Sequence, residues 1–138
     1  MSDSDSLTAD DVIRLLQLKP HPEGGYYRET FRDDKKPGER SVSTVIYFLL
    51  RQGQISRWHR IDAVEVWHWY GGAPIRLQLR NGDDPVETVL LGNDLLKDER
   101  PQVVVRAHVW QTAETLGAWT LVGCTVAPGF EFAGFELA

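Results

Sequence analysis

The densest chemistry in this chain lies around His59 and Glu65, in the stretches Gly53-Gln-Ile-Ser-Arg-Trp-His59 and Glu65-Val-Trp-His-Trp-Tyr70. A carboxylate beside an imidazole raises its pKa and fixes its tautomer. The result is a general acid or base near neutral pH. The same two groups also make half of a metal site. The plain alternative is a buried, mutually satisfied pair that only holds a hairpin. If the chain turns about Asp62, antiparallel pairing sets His59 opposite Glu65 and Arg57 opposite Trp67, with opposed Cβ atoms about 5 Å apart. One face then carries Arg57, His59, Glu65, Trp67 and Trp69, and the other Trp58, Arg60, Val66, His68 and Tyr70. Turned inward, the first face is a small-molecule pocket with a cation, an imidazole, a carboxylate and two indoles.

Short strands must position these groups. Candidate strands are 26–32, 42–51, 54–60, 64–70, 75–80, 86–91, 102–106, 119–127 and 130–137, separated by Gly, Pro and Asn turns. Ile75, Leu77 and Leu79 alternate cleanly and are expected to face inward. One short helix precedes them. Thr8 is its N-cap, Asp11 completes a capping-box pair, and Val12, Leu15 and Leu16 form its apolar stripe. Lys19-Pro20-His21-Pro22 is expected to stop it. Residues 92–101 are a polar connection with room for a helical turn. The pattern predicts an all-β sandwich or barrel.

The 138 residues suit a single domain spanning 1–138, with residues 1–6 expected to be disordered. Fifteen Lys and Arg against twenty Asp and Glu give a net charge of -5, which argues against nucleic acid as a partner. A single Cys, Cys124, excludes an internal disulfide and Cys-rich metal centres, and its apolar strand predicts burial. The acidic start is unlike a signal peptide, and the longest apolar run, 45–50, is too short to span a bilayer. A cytoplasmic location and no membrane partner are expected. Five Trp are many for this length and call for a core, an interface or a ligand site.

Gly53, His59, Ile61, Glu65 and Gly72 match the spacing of the first cupin motif, with Ile61 in place of its second His. Val105-Arg-Ala-His-Val-Trp-Gln111 is a weaker match to the second motif, with Gln111 where a third His is usual. The chain more closely resembles the small, largely uncharacterised single-domain cupins called cupin family five. The matching blocks are His21-Pro-Glu-Gly-Gly-Tyr-Tyr-Arg-Glu-Thr30, Ser43-Thr-Val-Ile-Tyr-Phe-Leu-Leu50, Trp58-His59, Val64-Glu-Val-Trp-His-Trp-Tyr-Gly-Gly-Ala-Pro74 and Gly117-Ala-Trp-Thr-Leu-Val-Gly-Cys-Thr-Val-Ala-Pro-Gly-Phe-Glu-Phe132. They span nearly the whole chain.

The resemblance implies a cupin jelly-roll barrel (RmlC-like) with a short N-terminal α-helix, a homodimer, and a likeness to sugar-nucleotide epimerases. In that version of the fold a barrel His removes a proton next to a carbonyl. His59 is then the base, Glu65 its orienting partner and Tyr47 a proton donor. Arg57, Trp67, Trp69 and Gln111 are expected to contact the ligand. Tyr26, Tyr27, Arg28 and Glu29 face either this pocket or the dimer partner. His21 is expected in a loop, and His68, Trp58 and Tyr70 at a sheet or subunit contact. Trp110 and Trp119 are expected in the core or an interface.

A typical cupin metal site needs three His and one Glu. Here His59, Glu65 and Gln111 are the only weak candidates, because Ile61 has no donor atom and an amide oxygen binds transition metals less well than imidazole. No cofactor is expected. The sequence therefore supports a metal-independent isomerase or epimerase-like enzyme on a carbohydrate-like ligand, or a non-catalytic metabolite-binding module. A metal-dependent oxygenase is third. Elemental analysis of protein purified without a metal-affinity tag is expected to find no stoichiometric iron, nickel or zinc.

Overall fold

The computed structural model describes residues 7–138, so the expectation for residues 1–6 lies outside the described residues. Two six-stranded sheets face each other. The first runs β1 (Lys19–Pro20), β2 (Tyr26–Arg32), β3 (Thr44–Arg51), β11 (Trp119–Ala127), β5 (Val64–Gly72) and β9 (Gln102–Val105). The second runs β12 (Phe135–Leu137), β4 (Ile55–Ile61), β10 (Trp110–Thr115), β6 (Ile75–Arg80), β7 (Glu87–Leu91) and β8 (Glu99–Arg100). All pairs are antiparallel except β7 with β8. The all-β architecture with one short helix is the one the sequence predicts.

The helix α1 (Ala9–Leu16) carries the expected capping box: Asp11 N–H donates to Thr8 Oγ1 at 3.1 Å, and Thr8 N–H donates to the Asp11 carboxylate at 3.0 Å. Its end comes earlier than Pro20. Gln17 turns left-handed at φ 57° and its N–H closes back on the last turn, so the prolines only follow.

The core fills the space between the sheets. Phe48, Leu50, Trp67, Ile75, Leu77, Leu91, Val105 and Val122 make one apolar cluster with contributions from both. Strand β3 serves two layers. Phe48 and Leu50 point into this core, whereas Tyr47 and Leu49 point outward beneath α1, beside Val12 and Trp119. A third cluster of Ile61, Ala63, Val126, Phe130 and Phe135 caps one end.

Three local predictions need correction. Residues 55–61 and 64–72 do not form a hairpin. β4 and β5 belong to opposite sheets, so the turn at Asp62 is a corner between layers. β10 escaped the sequence reading because its inward side chains are Gln111, Ala113 and Thr115. That polar face hides the period of two. The segment predicted as one strand over 130–137 is a 3-10 turn at Phe132–Gly134 followed by β12. No helix among the described residues is long and apolar enough to cross a membrane. Leu77 is fully buried, so Leu77→Ala should cost about 2–5 kcal/mol of unfolding free energy, measured by urea denaturation.

Candidate functional site

A cavity of about 460 Å³ opens at the capped end of the sandwich. Its floor holds His59 and Ile61 from β4, Glu65 from β5, and His21 and Glu23 from the loop after β1. Phe130, Phe132 and Phe135 wall one side, and Tyr27, Arg28 and Arg32 of β2 stand near the mouth.

The hydrogen-bond partner of His59 is Glu23. Its Nε2 lies 2.8 Å from Glu23 Oε2, with His59 only 3% exposed. Its Nδ1 lies 2.6 Å from the Arg57 carbonyl oxygen, which can only accept, so Nδ1 carries a proton. The loop holding Glu23 is fastened to β4 by the Arg57 N–H, which donates to Glu23 O at 2.7 Å. Gly24 makes this docking feasible. At φ +107° it adopts a conformation that L side chains rarely take, and a Cβ there would drive into the Ile55 carbonyl oxygen.

Glu65 meets the cavity from the other sheet. Gln111 Nε2 donates to its Oε1 at 2.8 Å, while Gln111 Oε1 accepts from the Trp67 indole at 3.0 Å. An indole N–H only donates, so the Gln111 oxygen must face Trp67 and its NH₂ must face Glu65. The two carboxylates thus have separate partners.

These surroundings set the charges. Burial, the largest single influence on His59, opposes its charged form. The nearby Glu23, the hydrogen bond to it, Glu65 and the Arg57 carbonyl together outweigh burial and raise the pKa to about 9. Burial lowers the pKa of His21, with Glu23 pulling the other way and His59 adding to the drop. His21 Nδ1 accepts the Glu23 N–H at 3.1 Å, which leaves the proton of the neutral ring on Nε2. Burial pushes Glu65 up, against the attraction of His59 and its hydrogen bonds. Burial and Glu65 hold the Cys124 thiol well above its ordinary value.

Several site expectations change. Arg57 is exposed and does not share the face of His59, because a bulge between the Gln111–His59 and Ala113–Ser56 pairs shifts the alternation in β4. Tyr47 packs on the outer face under α1, so it does not reach the cavity. Trp67 and Trp69 face inward as read, but Trp67 is core and Trp69 packs against it, and neither lines the cavity. Gln111 is fully buried behind Glu65. Glu65 approaches His59 across the sandwich without being its hydrogen-bond partner. His68 and Tyr70 stack on each other, His68 reaching Thr125 on the outer face. Glu23 and His21 were missed as site residues. The Gly24-Gly25 pair beside them was the available signal of a backbone pressed against another strand.

The donor set does not fit a transition metal. Ile61 offers no lone pair, Gln111 turns an N–H toward Glu65, and both nitrogens of His59 are engaged with oxygen acceptors. Among the described residues no three His, Cys, Asp or Glu side chains are placed to share an ion.

Comparisons with known proteins agree with the fold. Residues 10–138 match Cupin_5, described as Cupin superfamily (DUF985). A crystal structure from Shewanella oneidensis is 37% identical, with a TM-score of 0.91 over 96% of this chain and 85% of that one. A hypothetical protein from Leishmania major is 31% identical, with a TM-score of 0.87 over 96% of this chain and 88% of that one. Oxalate decarboxylase from Bacillus subtilis, 14% identical, gives a TM-score of 0.67 over 86% of this chain and 29% of that one. No curated protein matches.

The His59 pKa, about 9, lies above the ordinary 6.5. The pair's contribution to stability is therefore fully present below about pH 6.5 and is lost as pH rises through about 9. An NMR titration of the His59 ring should give a midpoint near 9 in the wild type and a clearly lower one in Glu23→Gln. A wild-type midpoint near 6.5 would refute the pairing.

Proposed function

We propose, from the premise that this chain belongs to the Cupin_5 family of the cupin superfamily, that it binds a small polar molecule in the cavity and moves a proton on it without a metal, as an isomerase or epimerase does. The observation that carries this reading is the His59–Glu23 pair, 2.8 Å apart and buried at the floor of a cavity of about 460 Å³. Perturbed titratable pairs in a concave site are where acid–base chemistry is arranged.

The pair holds one mobile proton. A ligand carbonyl entering beside His59 takes the Nε2 proton in place of Glu23 Oε2. The freed carboxylate of Glu23 removes the proton from the adjacent carbon. The C–H bond breaks, an O–H bond forms, and the ligand becomes an enol. Returning the proton from Glu23 to the former carbonyl carbon, while the neighbouring hydroxyl passes its proton to His59, gives the isomer and restores the pair. Glu65, pinned by Gln111, supplies negative potential beneath the imidazole. The likeness to oxalate decarboxylase, at 14% identity, concerns the fold alone and brings no substrate with it.

One observation favours binding without turnover. Both nitrogens of His59 already have acceptors within the protein, so the ring is satisfied before any ligand arrives. Proton exchange separates the two readings. Incubation with hydroxyaldehydes and hydroxyketones in D₂O should place deuterium beside the carbonyl, read by NMR. His59→Ala and Glu23→Gln should each slow this about 100-fold or more. Exchange that persists in His59→Ala removes the mechanism, and ligand binding with no exchange leaves the binding module.

A further inference from the structure

The charges around the cavity are unevenly matched. Glu23 has His59, and Glu65 is held by Gln111 and faces His59 across the sandwich. Glu29 has Arg32, whose Nε and Nη2 each lie 2.8 Å from its two oxygens, and Arg32 also donates to the Phe130 carbonyl at 2.9 Å. Arg28 and Lys19 remain, and neither makes an ion pair among the described residues. Lys19 Nζ sits 5.4 Å above the Tyr27 ring. Arg28 uses Nη1 alone, donating to Gln17 Oε1 at 3.1 Å and to Leu16 O at 3.4 Å, where α1 ends. Its Nε and Nη2 have no acceptor among the described residues. The guanidinium is thus anchored at one corner by neutral oxygens while the rest of its donor fork stays open. Lys19 pairs with Tyr27 in the register of β1 with β2, and successive strand residues point to opposite faces, so Lys19 and Arg28 stand on either side of the sheet edge, both bordering the cavity. They do so in a chain whose net charge is -5, where carboxylates to pair them are plentiful.

We infer that the mouth of the cavity is an anion-recognition subsite, in which Arg28 and Lys19 hold a carboxylate or phosphate of a ligand whose hydroxylated or carbonyl-bearing body reaches His59 and Glu23. An open guanidinium fork matches two oxygens of such a group, and an ammonium elsewhere on the same rim adds a point charge. The inference rests on the proposed small-molecule function and names its substrate class: a small polyhydroxylated acid or phosphate ester rather than its neutral parent. Phe132, 54% exposed at the cavity wall, gives the ligand body an apolar surface to lie against.

Calorimetric titration with glucuronate, glucose 6-phosphate and glucose tests this, because the three probes share the pyranose ring and differ chiefly in the group at C6. At least one anionic probe should bind about tenfold or more tightly than glucose, and added salt should weaken it. The comparison of glucuronate with glucose 6-phosphate tells a carboxylate from a phosphate. Arg28→Gln should weaken that probe about tenfold, and Arg28→Lys should recover part of the loss, with melting curves establishing that both variants fold. Equal binding of all three probes, no binding of either anion, or an unchanged Kd in Arg28→Gln would overturn the subsite. Anion binding that depends on Arg28, with no deuterium exchange, supports the subsite and sinks proton transfer. Deuterium exchange on glucose 6-phosphate that ignores Arg28→Gln sinks the subsite and supports proton transfer.

Discussion

Buried alone, the carboxylate of Glu23 or the imidazolium of His59 would cost several kcal/mol in lost hydration. Buried together, 2.8 Å apart, each supplies what the other lacks. The pair also fixes where the backbone must run. The loop of His21, Pro22 and Glu23 has to press against β4, and it does so through the Arg57 N–H bond to Glu23 O and the left-handed Gly24. The cavity exists because this loop closes one end of the sandwich at that depth.

A second chain of bonds fixes the opposite wall. The Trp67 indole orients the Gln111 amide, and the amide orients the Glu65 carboxyl. These three side chains come from β5 and β10, in different sheets, so the network also pins one sheet against the other. A fully satisfied buried network of this kind selects one arrangement of the core, because any slip would strand polar atoms. It explains why a Gln sits where a His would be a metal ligand. The position serves orientation of a carboxyl.

The parts of the fold carried by regular alternation were legible in the sequence. Glu65, Trp67 and Trp69 share the inward face of β5, with His68 and Tyr70 on the other side, as the period of two requires. The capping box of α1 was legible for the same reason, since both partners are local. What the sequence hid depends on distant chain. A bulge in β4 changed the face of Arg57, and nothing near Arg57 marks it. The assignment of β4 and β5 to different sheets made a corner look like a hairpin. Glu23 lies 36 residues before His59, and only the folded chain brings them together. Its neighbouring glycines signalled unusual backbone without naming the strand it meets.

Cys124 lies beneath this site, 1% exposed, with its thiol held well above its ordinary pKa by burial and Glu65. Thiolate is the species that peroxides and alkylating agents attack, so the folded protein keeps its one sulfhydryl out of redox chemistry. The same burial makes that sulfur a built-in gauge. Reagent reaches it only when the strands around Glu65 separate, and the rate of labelling then measures how often the innermost wall of the cavity opens.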